Sequence, residues 1–274
     1  SRQNVFDDDA NTSSHTAQGG CEDNPLDNPA TTSATLYYFK QRLQRWKEKT
    51  LKNNTINIIT IGGSMSEGKP HLVGSKKTYT SLYAKYLESI VHSSNQVKVS
   101  NLAEGGTSSM MASLCIDEML KPVTLDEADI VFIEFTLNDF AYECNCWAVY
   151  NSANINAGRP SVDIDTYSFQ SIERLIRKIL QESSAIPVLV IHKYRSGCKS
   201  DCPKKKKVPY YDIPHMNIAN YYAIPSISNV GTGLRQNGSL WADDVHYNAA
   251  GHTALFEVIR NSLDGTFSYL HDQS

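Results

Sequence analysis

No apolar run in the 274-residue sequence approaches the roughly 18 residues needed to span a bilayer, so no integral membrane segment is expected. Neither sign of charge is in surplus. The formal charge is −3 and the pI is near 6.2, which gives no global attraction to nucleic acid or an anionic membrane. A phosphate-binding P-loop lysine is missing, because Lys69 is followed by Pro70, and no G-x-G-x-x-G dinucleotide fingerprint occurs.

Cysteine is sparse. Cys21, Cys115, Cys144, Cys146, Cys198 and Cys202 permit up to three disulfides. Cys198 and Cys202 flank a polar turn and can close a small loop, whereas Cys144 and Cys146 are too near each other to pair comfortably. Four thiols in two close pairs superficially suit zinc, but neither pair has C-x2-C spacing, so no metal is expected. N-x-S/T sequons stand at Asn11, Asn53 and Asn237, and the chain begins at Ser1 rather than Met. With the even cysteine count, these features point to a processed product that is secreted or held in the endomembrane lumen.

At 41% hydrophobic residues the chain can bury a sizeable core. Residues 1–33 are polar and poor in aliphatic side chains, a composition that reads as an irregular N-terminal extension. From residue 34 onward, helical and strand patterns alternate about five times. Helices are predicted over Leu36–Thr50, Tyr79–Ile90, Ser108–Leu120, Ile172–Leu180, Ile213–Ala223 and, capped by Asn248, through Leu263. Strands are predicted at Ile56–Ile61, Gln96–Leu102, from Ile130 to an end at Asn138, Pro187–His192 and Pro225–Ser228. This alternation implies one α/β domain over 34–274, a three-layer α/β/α sandwich with a parallel central sheet. Polar inserts near 141–166 and 194–209 interrupt it. In such sheets the site lies beyond the carboxyl ends of the strands.

Four stretches fall at those ends or in a late loop: Gly62-Gly63-Ser64, Asn101 to Ser109 with Gly105-Gly106, Thr136-Leu137-Asn138-Asp139, and Trp241 to His246. A serine hydroxyl becomes a nucleophile only when a base takes its proton. Ser64 on a strand-to-helix turn is the candidate nucleophile, although a glycine-loop serine also caps helices. His246 is the candidate base. Asp243, three residues earlier, can orient its imidazole, and Asp244 is the alternative. The backbone N–H groups of Ser64 and Gly105 and the side-chain amide of Asn138 are candidate oxyanion donors, with Gly106 the alternative to Gly105. Taken alone, Asn138 also reads as a strand-end cap. His192, His215 and His252 read as strand-end, surface and helix residues respectively.

Taken in order, these stretches resemble the sequence blocks of the SGNH hydrolase superfamily, the GDSL-like esterases and lipases. The family's Ser, Gly, Asn and His match Ser64, Gly105, Asn138 and His246, and its D-x-x-H matches Asp243 to His246. The segment from Asp212-Ile213-Pro214-His215 to Ile224-Pro225-Ser226 is similar to one in some polysaccharide-esterase-like members. Two positions depart from the pattern: Gly63 replaces the aspartate of G-D-S-L, and Thr136 replaces the first glycine of G-x-N-D. The resemblance covers roughly residues 55–263 and implies a serine esterase that needs no metal or organic cofactor.

Its implied substrates run from acetylated glycans to lipids. Aromatics in the inserts, Trp147, Tyr150, Tyr210 and Tyr211, suit stacking on sugar and favour a carbohydrate ester. Acyl transfer to a sugar hydroxyl with the same triad, or a retired glycan-binding module, remain the alternatives. Lys204 to Lys207 read as a solvated loop rather than a nucleic-acid site. Oligomeric state has no signature in the sequence.

Overall fold

Five short segments, most of them rich in β-branched residues, build the centre of the molecule. The computed structural model describes residues 33–50, 55–68, 73, 77–91, 95–123, 125–143, 164–192, 213–229, 232–234, 236–243 and 245–272. The strands are β1 (Thr55–Gly62), β2 (Gln96–Asn101), β3 (Ile130–Glu134), β4 (Ile186–Ile191) and β5 (Ser226–Ser228). All pair in parallel in the order β2-β1-β3-β4-β5. β3 and β4 are buried along their whole length, as strands covered on both faces must be.

The helices, in chain order, are α1 (Ser33–Thr50), α2 (Ser64–Glu67), α3 (Tyr79–Ile90), α4 (Ser109–Leu120), α5 (Thr136–Glu143), α6 (Ile164–Glu182), α7 (Ile213–Tyr222) and α8 (Ala249–Asp272). Alternate strand residues feed two separate apolar layers. Ile56, Ile58, Ile130, Phe132 and Val188 pack with Phe39 of α1, Tyr83 of α3 and Leu255 and Ile259 of α8. Ile59, Ile61, Val131, Ile133 and Leu189 pack with Ile116 of α4, Ile176 of α6 and Ile218 of α7. Each such aliphatic side chain contributes about 1.5–3 kcal/mol by leaving water. The result is the expected three-layer α/β/α sandwich.

Strand order reverses between β1 and β3, so a crevice opens beyond their carboxyl ends. Ser64 opens α2 directly after β1, and Asn138 lies in α5 directly after β3. The third strand is shorter than expected. It stops at Glu134, and a helix begins at Thr136, so Asn138 sits in a helical first turn instead of ending a strand. Burial does not mark that change, because Phe135 and Leu137 remain buried after the ladder ends.

The extension, apart from Ser33, and the insert at 194–209 lie outside the described residues, as do 144–163 of the other insert. Cys115 is an exposed free thiol, so the full set of three disulfides is not made. The remaining five cysteines lie outside the described residues. Among the described residues no helix is long and apolar enough to cross a membrane, and no group of His, Cys, Asp and Glu could hold a metal ion.

Candidate active site

Four chain segments meet at the crevice, and backbone hydrogen bonds fix each against its neighbour. Gly63 precedes α2 and donates its N–H to Glu134 O at 2.9 Å, so the turn after β1 is pinned to the end of β3. The next segment is pinned to β1: Leu102 N donates to Thr60 O at 2.8 Å and Glu104 N to Gly62 O at 2.9 Å. Asn101 adds a side-chain tie that its sequence position did not announce, donating to Ser66 O at 2.8 Å.

Glu104 to Thr107 then forms a tight turn closed by Thr107 N donating to Glu104 O at 3.2 Å, with Gly106 at φ +84°. A positive φ at the third residue is the type II geometry, which demands glycine there. Gly105 is a glycine for a different reason. A Cβ at 105 would lie 2.7 Å from Glu67 Oε2 and 3.5 Å from Ser64 Cβ. Gly105 therefore presses against Ser64, while Gly106 makes the bend.

The late loop is a small hairpin. Trp241 bridges Tyr247 in antiparallel fashion, and Ala242 N donates to His246 O at 2.8 Å. Asp243 Oδ1 accepts the N–H groups of Val245 and His246, each at 2.7 Å, which turns the carboxylate back toward the imidazole. Asp243 Oδ2 then lies 2.8 Å from His246 Nδ1, and His246 Nε2 lies 2.8 Å from Ser64 Oγ. Partial burial raises the Asp243 pKa, but the His246 ring, both backbone amides and the charge of His246 outweigh it and hold the carboxyl below its usual range. Asp244 is outside the described residues.

Asn138 faces this group from α5. Its Nδ2 donates one hydrogen to Thr107 O at 2.5 Å, which orients the amide and leaves the second hydrogen available. A Cβ at position 63 would fall only 2.2 Å from that nitrogen. The bare Gly63 is what lets Asn138 lie against the turn, which gives the Gly-Gly-Ser departure a physical reason. Ser64, Gly105, Asn138, Asp243 and His246 are thus brought together from four separate segments of the chain.

His215 corrects the surface reading. It is buried, with Nε2 3.0 Å from Asp139 Oδ2, while Asp139 Oδ1 accepts Ser109 N at 2.8 Å. This pair ties α7 to α5 and to the start of α4. His192 and His252 are also buried, and burial depresses them to about 3 and about 4, with the neighbouring imidazoles of His252 and His246 adding to the effect in turn. Both therefore remain neutral near neutral pH.

No protein-family model matches the chain. No curated protein matches it either. Solved structures do. A two-domain esterase active on acetylated mannans is similar with a TM-score of 0.60 and 21% identity, over 83% of this chain and 54% of that one. The chain thus spans about half of that protein's length. An acetylxylan esterase from Geobacillus stearothermophilus is similar with a TM-score of 0.54 and 16% identity, over 76% of this chain and 93% of that one. The chain has the fold of the SGNH hydrolases. A third structure, a psychrotrophic esterase from Pseudoalteromonas inhibited by monoethylphosphonate, is similar with a TM-score of 0.53 and 14% identity, over 77% of this chain and 98% of that one.

Proposed function

We propose that the chain is a serine esterase that removes acetyl or another short acyl group from carbohydrate through an acyl-Ser64 intermediate. The observation that carries this reading is the unbroken relay from Asp243 Oδ2 to His246 Nδ1 and from His246 Nε2 to Ser64 Oγ, each step 2.8 Å. The acetylated xylan and mannan substrates named for its structural neighbours support the choice of acyl group and alcohol.

In this mechanism Ser64 Oγ gives its proton to His246 as it attacks the ester carbonyl. Asp243 stabilises the imidazolium, and its charge is retained because its pKa lies below the usual carboxylate range. Negative charge developing on the carbonyl oxygen is met by the N–H groups of Ser64 and Gly105 and by the remaining Asn138 amide hydrogen. His246 then protonates the departing sugar oxygen. Water, deprotonated by the same histidine, attacks the acyl-serine, releases the carboxylic acid and restores Ser64.

The test is intact mass after treatment with a fluorophosphonate serine probe, paired with acetate release from acetylated xylan and mannan. Wild type is expected to gain one adduct on Ser64 and to release acetate, and Ser64→Ala to do neither. Folded wild-type protein with no adduct and no acetate release would overturn the assignment.

A further inference from the structure

Glu134 is the last residue of β3 and is 1% exposed, yet it carries a carboxyl group. That group lies directly beneath the turn holding Ser64. Ser66 Oγ donates to Glu134 Oε2 at 3.3 Å and lies 2.6 Å from Tyr79 Oη. The backbone N–H groups of Gly63 and Ser66 also interact with the carboxyl, while the Glu134 main-chain carbonyl holds Gly63 N at 2.9 Å. Both residues flanking the Ser64-Met65 pair are therefore tied to Glu134, Gly63 through its main chain and Ser66 through its side chain.

The surroundings decide the charge state of that side chain. Ser66 faces it from α2, Tyr79 from α3, Asp139 with its partner His215 from α5, and Tyr247 from the segment before α8. Beyond Tyr79 and Tyr247, His252 stacks on the one ring and meets the other edge-on, and it is held neutral. No lysine or arginine is among them. Burial first, then the charge of Asp139, pushes the Glu134 carboxyl up to about 8, against the lowering effect of Ser66 and the two amides. At neutral pH it is an uncharged acid under the turn.

We propose that Glu134 is the positioning residue of the nucleophile turn, bracing from the end of β3 a loop whose own residue 63 carries no side chain. The brace comes from below because the space above Gly63 is taken by the Asn138 amide. Uncharged, Glu134 accepts the Ser66 hydroxyl and holds Ser64 Oγ within reach of His246. Ionised, it brings a second negative charge to the site of Asp139, and repulsion between the two carboxylates draws it out from under the turn. The proposal rests on the reading of Ser64 as nucleophile.

The experiment is the rate of Ser64 phosphonylation by the fluorophosphonate probe between pH 6 and pH 10, for wild type, Glu134→Gln and Glu134→Leu, with thermal melts in parallel. Wild type is expected to lose labelling rate above about pH 8, where the buried acid ionises. Glu134→Gln keeps an uncharged group of the same reach, so it should label near the wild-type rate at pH 7 and hold that rate through pH 10. Glu134→Leu should label about tenfold more slowly at pH 7. If the leucine variant does not fold, the glutamine profile decides alone. A glutamine profile that superimposes on wild type, alkaline fall included, overturns the brace while leaving the nucleophile intact. Absence of label on folded wild type instead removes the esterase reading, and this proposal with it.

Discussion

At residue 63 a Cβ would fall 2.2 Å from Asn138 Nδ2, so the smallest side chain added there displaces a candidate oxyanion donor. Gly63→Ala and Asn138→Ala should therefore fail in the same way, through loss of transition-state charge stabilisation rather than of substrate binding. Asn138→Ala is expected to lower kcat by about 10²–10³ with KM little changed. Steady-state acetate release reads both constants, and an unchanged kcat would return Asn138 to a structural role. Asp243→Asn should cost on the order of 10²–10⁴ in kcat, because it can no longer hold the imidazole in the required tautomer or stabilise its charge. A rate within twofold of wild type would transfer that role away from Asp243. What made these residues candidates in the sequence was local: Gly63 and Asn138 follow apolar runs, and Asp243 stands three residues before His246. Glu134, Asn101 and the Asp139–His215 pair were not legible. Their partners lie on other strands and helices, and nothing in the local pattern distinguishes Glu134 from a solvated strand-end acid.

Among the elements, strand positions followed from β-branched runs that the sheet buries on both faces, and helix α3 followed from its apolar stripe. Boundaries set by tertiary contacts were harder to read. α6 begins at Ile164 rather than Ile172, since its first turns carry Asp165, Thr166 and Ser168 without the apolar period. Its other end is closed by a residue far away in sequence. The Arg42 guanidinium of α1 donates to Leu180 O at 2.5 Å, Ser183 O at 2.6 Å and Ala185 O at 2.8 Å. A cation on these terminal carbonyls satisfies acceptors that the helix cannot, and it complements the negative end of the helix dipole. Arg42→Ala should destabilise the fold by about 2 kcal/mol and lower Tm by about 4–8 °C. Phosphonylation of Ser64 should be unaffected, because Arg42 lies at the opposite end of the strands from the crevice. Calorimetry showing an unchanged Tm would mean that water replaces the guanidinium without loss.

Over the whole molecule, burying titratable groups in both protonation senses gives stability a maximum near neutrality. His192 has no partner for either ring nitrogen among the described residues, and both it and His252 resist protonation, with values of about 3 and about 4 against an ordinary 6.5. The unfolded chain binds those protons first, so the two histidines favour the fold fully above pH 6.5 and progressively less as pH falls below it. Glu134 acts in the opposite sense. Its folded value of about 8 lies above the ordinary 4.5, so the folded state binds the proton more tightly, and the associated stability is lost as pH rises from 4.5 to 8. Between 4.5 and 6.5 the two histidines outweigh the one acid, and stability rises with pH. From 6.5 to 8, among the shifted groups of the described residues, only the acid acts, and stability falls by up to about 1.4 kcal/mol per pH unit. Thermal melts of wild type should therefore peak near pH 6.5. Glu134→Gln should abolish the decline between 6.5 and 8 while leaving the acid limb in place, and His192→Leu should make the acid limb shallower without changing the alkaline one. A wild-type Tm that stays level from pH 6.5 to 8, or falls equally in Glu134→Gln, would show that Glu134 ionises without hindrance and that the carboxyl under the nucleophile turn is solvated.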